Sequence, residues 1–188
     1  EEEQAKLIEY VYQSRIYCRL GTLFTVLLGT GMRIGEALGL RWCDCDFDKK
    51  LISVNHTLLY KQSENGGYRY RISEPKTKAG LRVIPMLSEV KEALLAEKAK
   101  RRNPNLEPFS IGGYTGFIFL NSHGKVFTPA YVFDAIQNIT SAFNREEYFK
   151  AEQENREPCY LPKFSAHILR HTFCTRFCEN EKDLKIIQ

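Results

Sequence analysis

The segment SAHILRHTFCTRF, residues 165–177, places two histidines and an arginine close together in the chain. On a helix, residues three and four apart share a face, so His167 and Arg170 lie side by side and His171 lies one turn beyond His167. Two interpretations are open at this point. The segment is a basic amphipathic helix, or it is a zinc site, because His-x3-His on a helix can bind zinc.

The spacing of apolar residues predicts helices near both ends of the chain and strands between them. Ser165 is a suitable N-cap for a helix over residues 166–180, and Thr128-Pro129 opens a long helix before it. Further helices are predicted in EQAKLIEYVYQS, YCRLGTLFTVLLGT, RIGEALGLRW and EVKEALLAEKAKRR, and strands in CDFDKKLISVNHTLLY, KQSENGGYRYRISEP and TKAGLRVIPM. This order predicts an α+β fold class, a mostly helical domain with a small antiparallel β-sheet on one edge.

The composition fits one globular domain of 188 residues. No apolar run is long enough to span a bilayer, and the acidic start EEEQAKLIEY is not a signal peptide, so an intracellular, cytoplasmic protein is expected. The six cysteines are scattered, which favours reduced thiols over a disulfide framework. Cys43 and Cys45 alternate along a predicted strand and are expected to face opposite sides.

Basic residues are concentrated in one segment of the chain, residues 61–82. Its cations exceed its acidic residues by as much as the whole chain's net charge of +4. A local basic patch is typical of a protein that binds a polyanion, although a solvated hairpin would explain the same charges. The cations are Lys61, Arg69, Arg71, Lys76, Lys78 and Arg82, against Glu64 and Glu74.

Arg33 follows a Gly-Thr-Gly turn and stands at the start of a predicted helix. Backbone amides at a helix N-terminus favour an anion, and a guanidinium beside them adds to this. Glu36, three residues on, can hold the guanidinium in place, although a simple surface pair would have the same spacing. Lys76 and Lys78 lie at a turn between strands, from which a lysine can reach a ligand.

Four segments together resemble one known family. In their order and approximate spacing, TGMRIGEALGLRW, PKTKAGLRVIPM, GFIFLNSHGKVFTP and SAHILRHTFCTRF resemble the tyrosine recombinase (phage integrase-type) family, and within it the integrases of conjugative transposons. The resemblance covers essentially the whole chain. It implies the α+β fold of that family's catalytic domain, which agrees with the predicted order of helices and strands.

The resemblance implies a role for each matching residue. Arg33 and Arg170 match the two catalytic arginines that clamp the non-bridging oxygens of the scissile phosphate. A planar guanidinium suits this task because it can hold a phosphate with two hydrogen bonds, which a lysine cannot. Lys76 matches the hairpin lysine that protonates the leaving 5′ oxygen, and Lys78 competes for that role because the sequence does not fix the hairpin register. His167 matches an acid–base or phosphate-binding histidine.

The resemblance also implies accessory residues and partners. Glu36 matches the acidic residue that orients the first arginine, whereas His171 is expected to be structural. Double-stranded DNA is the implied partner, and the full-length protein is expected to form a homo-tetramer on it, with neither a membrane nor a small-molecule substrate. The residues expected to bind DNA phosphates are Lys61, Arg69, Arg71, Lys78 and Arg82.

The nucleophile is expected to lie outside this sequence. In the family, a further histidine or tryptophan and then a nucleophilic tyrosine follow the His-x2-Arg helix, but no tyrosine follows Tyr160. Residues 1–188 are therefore expected to be a catalytic-domain fragment without the N-terminal DNA-binding domains and the C-terminal nucleophile segment. The implied reaction is site-specific recombination, the integration or excision of a mobile element, through a 3′-phosphotyrosine. That covalent link conserves bond energy, so no ATP, metal or other cofactor is expected.

Three alternatives to this function stay open. A zinc site would need further ligands, for which Cys174 and Cys178 are the candidates, and a cationic arginine between the two histidines opposes a dication. A non-catalytic DNA-binding module of the same fold would have no need of the combined arginine, lysine and histidine set. A metal-dependent nuclease would need clustered acidic residues for Mg²⁺, which the sequence does not show.

Overall fold

The computed structural model describes residues 2–64, 66–75, 80–100 and 109–180. Within these ranges the fold class is confirmed, since helices predominate and the strands are short and antiparallel. The helices are α1 (Glu2–Gln13), α2 (Cys18–Thr30), α3 (Ile34–Gly39), α4 (Ser88–Lys100), α5 (Pro129–Gln153) and α6 (Ala166–Asn180). The strands are β1 (Cys45–Asp46), β2 (Leu51–Val54), β3 (Thr57–Gln62), β4 (Tyr68–Ser73) and β5 (Arg82–Pro85).

Local capping signals set the limits of the long helices. The Thr128 hydroxyl accepts a hydrogen bond from the Tyr131 N–H at 3.1 Å, and Pro129 occupies the first helical position of α5. The hydroxyl of Ser165 accepts from the Ile168 N–H at 3.4 Å at the start of α6. These contacts confirm the predicted starts of both helices.

Helix α2 lies at the centre of the hydrophobic core. It is apolar on nearly all sides, as a helix surrounded by other elements must be, and it ends at Gly31, whose φ of 61° is left-handed. The Gly31 N–H donates to the Leu27 carbonyl at 3.1 Å and closes the last turn. The core residues on α2 and on the neighbouring helices α1, α4 and α6 include Leu7, Val11, Leu20, Leu23, Phe24, Leu27, Val90, Leu94 and Leu169.

The strands form two small antiparallel sheets in the described part of the chain, where one sheet on one edge was predicted. One sheet has the order β1-β2-β5, and the other is the hairpin β3-β4. Strand β5 pairs with β2, with Arg82 opposite Val54, instead of extending the hairpin. This pairing joins segments far apart in sequence, which the alternation of apolar residues does not reveal.

Cys43 does not lie on a strand, so that prediction was wrong. It falls in a 3-10 turn, Trp42–Asp44, and β1 starts only at Cys45. The physical reason is a local cap, since the Arg41 N–H donates to Asp44 Oδ2 at 3.0 Å and tightens the chain. All six cysteines are unpaired thiols. Among the described helices, none combines the length and the apolar character needed to cross a membrane.

Candidate active site

Arg33 is the residue that precedes the first turn of α3. Its backbone is extended, with φ −69° and ψ 149°, and its N–H donates to Glu36 Oε2 at 2.8 Å. The Arg33 Nη1 donates to Glu36 Oε1 at 3.1 Å. Arg33 nevertheless keeps 64% of its side chain exposed, while Glu36 is buried with 6% exposed. The carboxylate therefore binds the backbone N–H and one terminal nitrogen of Arg33, and most of the side chain stays accessible to a ligand.

A second arginine meets the same carboxylate from β5. Arg82 Nη1 donates to Glu36 Oε1 at 3.0 Å, and Arg82 Nη2 donates to Glu36 Oε2 at 2.7 Å. Burial raises the pKa of the Glu36 carboxyl, but the hydrogen bonds from Arg82 and Arg33 outweigh it and bring the pKa below its ordinary value of 4.5. Glu36 is therefore a carboxylate at neutral pH. Sequence reasoning grouped Arg82 with the expected DNA contacts and missed this pairing.

Arg170 reaches the same region from α6. Its Nη1 donates to the carbonyl oxygen of Gly31, which lies two residues before Arg33. Because neighbouring Cα atoms are about 3.8 Å apart, this contact brings the Arg170 side chain to the turn that carries Arg33. Arg170 is partly buried, and its neighbour Leu169 is buried in the core with 4% exposed. The structure thus places the two predicted phosphate-binding arginines at one turn, although they are 137 positions apart in the sequence.

The two histidines of α6 face solvent. His167 and His171 are both exposed, and their ring centroids are 4.4 Å apart with the planes at 83°. Among the described residues, no group of three or more His, Cys, Asp or Glu side chains converges as a metal would require. Cys174 and Cys178 are exposed on the same helix. The zinc interpretation therefore gains no third ligand from the described part of the chain.

The predicted DNA-binding residues of the hairpin share one exposed face. In the β3-β4 register Lys61 lies opposite Arg69 and Leu59 lies opposite Arg71. Alternate residues of a strand face the same side, so Lys61, Arg69 and Arg71 form one cationic surface, and all three are exposed. Lys76 and Lys78, the two candidates for the general acid, lie outside the described residues.

The other face of the hairpin is aromatic and anchors it to the domain. Tyr60 lies 4.9 Å from Tyr70 and 5.4 Å from Tyr68 between ring centroids. The Tyr70 hydroxyl donates to the Val126 carbonyl at 2.6 Å, and burial raises the pKa of this tyrosine. The hairpin is thus held by its aromatic face, which leaves the cationic face outward.

A buried polar network that sequence reasoning missed supports the far end of α3. His56, 4% exposed, faces the Gly39 carbonyl with Nε2 at 2.7 Å and the Asn55 side-chain oxygen with Nδ1. Asn55 Nδ2 in turn donates to Asp44 Oδ1 at 3.1 Å. These contacts satisfy the last carbonyl of the short helix. The Gly39 carbonyl lies 17 positions before His56, so no local sequence motif predicts this contact.

Comparisons with known proteins identify the family of the chain. A family model described as the phage integrase family matches residues 1–188. The chain therefore belongs to the phage integrase family of tyrosine recombinases. The resemblance seen in the sequence is confirmed, with transposon integrases among the relatives.

Individual relatives show how much of each protein is shared. The transposase from transposon Tn916 of Enterococcus faecalis is 31% identical over 188 residues, which are 100% of this chain and 42% of that protein. A XerC-like tyrosine recombinase of Caldanaerobacter subterraneus subsp. tengcongensis is 34% identical over 177 residues, 90% of this chain and 41% of that protein. The chain spans less than half the length of these curated relatives.

Solved structures share the fold as well. The Tn1549 transposon integrase in complex with circular intermediate DNA matches with a TM-score of 0.83 at 32% identity, covering 100% of this chain and 56% of that chain. XerA recombinase matches with a TM-score of 0.64 at 22% identity, covering 100% of this chain and 51% of that chain, which shows a common fold.

Proposed function

We propose that this chain forms the phosphate-binding pocket of a site-specific DNA recombinase that integrates or excises a mobile element. The observation that carries the proposal is the contact of the Arg170 guanidinium with the Gly31 carbonyl, two residues before Arg33. Two permanently charged guanidinium groups at one turn suit a phosphodiester, whose non-bridging oxygens each accept hydrogen bonds. Family membership supports the same assignment.

The reaction transfers a phosphoryl group twice. A tyrosine hydroxyl attacks the scissile phosphorus, the bond from phosphorus to the 5′ oxygen breaks, and a 3′-phosphotyrosine and a free 5′-hydroxyl result. A 5′-hydroxyl from another strand then reverses the step and releases the tyrosine. On this proposal the nucleophilic tyrosine lies outside residues 1–188, which form a fragment of the catalytic domain.

The proposal assigns a task in this reaction to each candidate catalytic residue. Arg33 and Arg170 hold the non-bridging oxygens and stabilise the charge that develops on them in the transition state. Glu36 keeps Arg33 in position, with the 3.1 Å side-chain hydrogen bond as support. Lys76, or Lys78 in its place, gives a proton to the leaving 5′ oxygen, and His167 assists proton transfer or phosphate binding.

The hairpin supplies contacts to the duplex away from the scissile phosphate. Lys61, Arg69 and Arg71 lie on one exposed face, and contacts of this kind bind phosphates without reading the base sequence. The Tn1549 integrase, which shares the fold, was solved in complex with DNA. On this proposal the full-length protein assembles as a homo-tetramer on double-stranded DNA.

A suicide DNA substrate tests the proposal. The gene product that contains this chain is mixed with a nicked duplex that, on cleavage, releases the short fragment carrying the new 5′-hydroxyl, so religation fails and the phosphotyrosine adduct accumulates. The wild-type protein is expected to form a covalent adduct in the presence of EDTA, and Arg33→Ala and Arg170→Ala are expected to lose it by about 100- to 1,000-fold. Both variants should keep most of their DNA affinity.

A matched control is available in Arg156. Its guanidinium also pairs with carboxylates, with Nη1 at 2.6 Å from Glu147 Oε1 and Nε at 2.6 Å from Glu154 Oε2, but it lies at the end of α5. Arg156→Ala should therefore form the adduct at the wild-type rate. Tight DNA binding without any adduct would favour a non-catalytic DNA-binding module, and adduct formation or cleavage that requires a divalent metal would favour a nuclease.

A further inference from the structure

The cluster of Arg33, Glu36 and Arg82 has an unequal number of charges. One buried carboxylate faces two guanidinium groups, at 3.1 Å from Arg33 and 2.7 Å from Arg82. The three side chains together therefore carry one positive charge in excess. Where that charge resides depends on which arginine neutralises the carboxylate.

The hydrogen bonds assign the carboxylate to Arg82. Its two terminal nitrogens meet the two oxygens of Glu36 at 3.0 Å and 2.7 Å, the bidentate fork that gives the strongest arginine–carboxylate pair. Arg33 makes one side-chain hydrogen bond to the same group, at 3.1 Å. Exposure agrees with this division, because 30% of the Arg82 side chain is exposed against 64% of the Arg33 side chain.

We propose that Arg82 is a positioning residue for the DNA-cleavage reaction, which neutralises Glu36 so that the charge of Arg33 stays available to the scissile phosphate. This inference rests on the proposed function. Without Arg82, the buried carboxylate has one arginine left to pair with, so Arg33 turns inward to satisfy both oxygens. The Arg33–Glu36 pair is then neutral and attracts an anion less strongly.

The position of Arg82 in the fold gives it a second connection to the site. Arg82 is the first residue of β5 and is paired with Val54 on β2. It follows closely on residues 76–79, which include both candidates for the general acid. The bidentate bond to Glu36 thus connects the first residue of β5 with the first turn of α3.

The test separates charge balance from direct DNA contact. The gene product that contains this chain is prepared as wild type, Arg82→Gln, Arg82→Lys and the double variant Arg82→Gln with Glu36→Gln. Two quantities are measured for each, the rate constant of adduct formation on the suicide substrate at saturating protein and the dissociation constant for the same DNA. Thermal unfolding of each variant checks the fold, and Arg156→Gln, which also breaks an arginine–carboxylate fork, is the control.

Arg82→Gln is expected to slow adduct formation by about 10- to 100-fold, the loss found when outer-shell partners of metal ligands are removed. Its DNA affinity should change by less than about threefold, because both terminal nitrogens of Arg82 are bound to Glu36. Adduct formation by the double variant should be at least about tenfold faster than by Arg82→Gln, because removing both charges leaves Arg33 with its excess charge again. Arg82→Lys keeps the charge but loses the bidentate fork, so its rate of adduct formation should lie between those of the wild type and Arg82→Gln.

Several results would overturn the assignment. Wild-type rates in both Arg82→Gln and Arg82→Lys would show that Arg33 does not depend on Arg82. Equal losses in rate and affinity, with no recovery in the double variant, would make Arg82 a DNA contact. If Arg82→Gln does not fold, a wild-type rate in Arg82→Lys, which lacks the bidentate fork, decides against the inference. Failure of the proposed function is distinguishable, because then the wild-type protein itself forms no adduct.

Discussion

Replacing Gly31 with alanine should destabilise the protein and disturb the turn where Arg33 and Arg170 meet. Gly31 has a φ of 61°, which costs an L-residue about 1–2 kcal/mol. A Cβ added there would lie 2.3 Å from Cδ1 of Phe173 on α6. Overpacking of this kind typically costs about 1–3 kcal/mol, so the two effects together amount to about 2–5 kcal/mol.

Urea unfolding of the purified protein measures this loss, and adduct formation by the gene product measures its consequence. For a chain of this size each kcal/mol corresponds to a melting temperature lower by about 2–4 °C. Because α6 must move to admit the new methyl group, Arg170 should leave the Gly31 carbonyl and adduct formation should fall with stability. Gly124→Ala is the matched control, since Gly124 has a φ of 72° but nothing within 4 Å of the added Cβ, so it should show the backbone cost alone.

A double-variant cycle refutes or supports the reasoning. If the Phe173 ring lies against Gly31, Phe173→Ala should relieve the clash, and the double variant should be less destabilised than the sum of the single variants by about 1–3 kcal/mol. Additive effects, within about 0.5 kcal/mol, would mean that the ring is not there. The same conclusion would follow if Gly31→Ala and Gly124→Ala were equally destabilising.

Three further results are expected. The folded-state pKa of Glu36 is lowered, so its stabilising effect is complete above pH 4.5 and is lost as the pH falls through the folded pKa. The free energy of unfolding in urea should therefore decrease between about pH 6 and pH 3, and Glu36→Gln should reduce this decrease. An unchanged decrease in that variant would contradict the reasoning. Replacing Arg69 and Arg71 together with glutamine should flatten the slope of log affinity for DNA against log salt by about two units at most, and an unchanged slope would remove the hairpin from the interface. Burial, with the nearby Asp44 carboxylate, raises the pKa of Cys45 to about 12. Iodoacetamide at about pH 8 should therefore alkylate the exposed Cys43 and Cys159 of the native protein and leave Cys45 unmodified, which mass spectrometry can measure.

The parts of the fold that the sequence predicted well depend on neighbouring residues. The starts of α5 and α6 follow from Thr128-Pro129 and Ser165, because a cap involves groups only three or four positions apart. The β3-β4 hairpin is likewise local, with Lys61 opposite Arg69 across a short turn. Contacts of such short range can be predicted from the sequence without knowledge of the rest of the fold.

The parts that the sequence did not predict depend on contacts across long distances in the chain. The pairing of β5 with β2, and with it the division into two sheets, brings Arg82 opposite Val54. Resemblance to a family predicted one pocket for Arg33 and Arg170, because the family's motifs carry that information, and the structure brings Arg170 to the turn that carries Arg33. The resemblance assigned Arg82 to the DNA-binding surface, since its charge is visible in the sequence and its partner Glu36, 46 positions away, is not.

Two arginines in the described part of the chain cap a turn in the same way, and they show what makes an arginine available to a ligand. Arg33 and Glu36, like Arg41 and Asp44, are three residues apart, and in each pair the carboxylate accepts the N–H of the arginine that precedes the turn. Arg41 forms the bidentate fork with its own carboxylate and keeps only 20% of its side chain exposed. Arg33 keeps 64% of its side chain exposed, and the bidentate fork on its carboxylate Glu36 is made by Arg82 instead. The local motif therefore builds the same cap in both places, and on our proposal a third residue from a distant strand keeps Arg33 available to an anion.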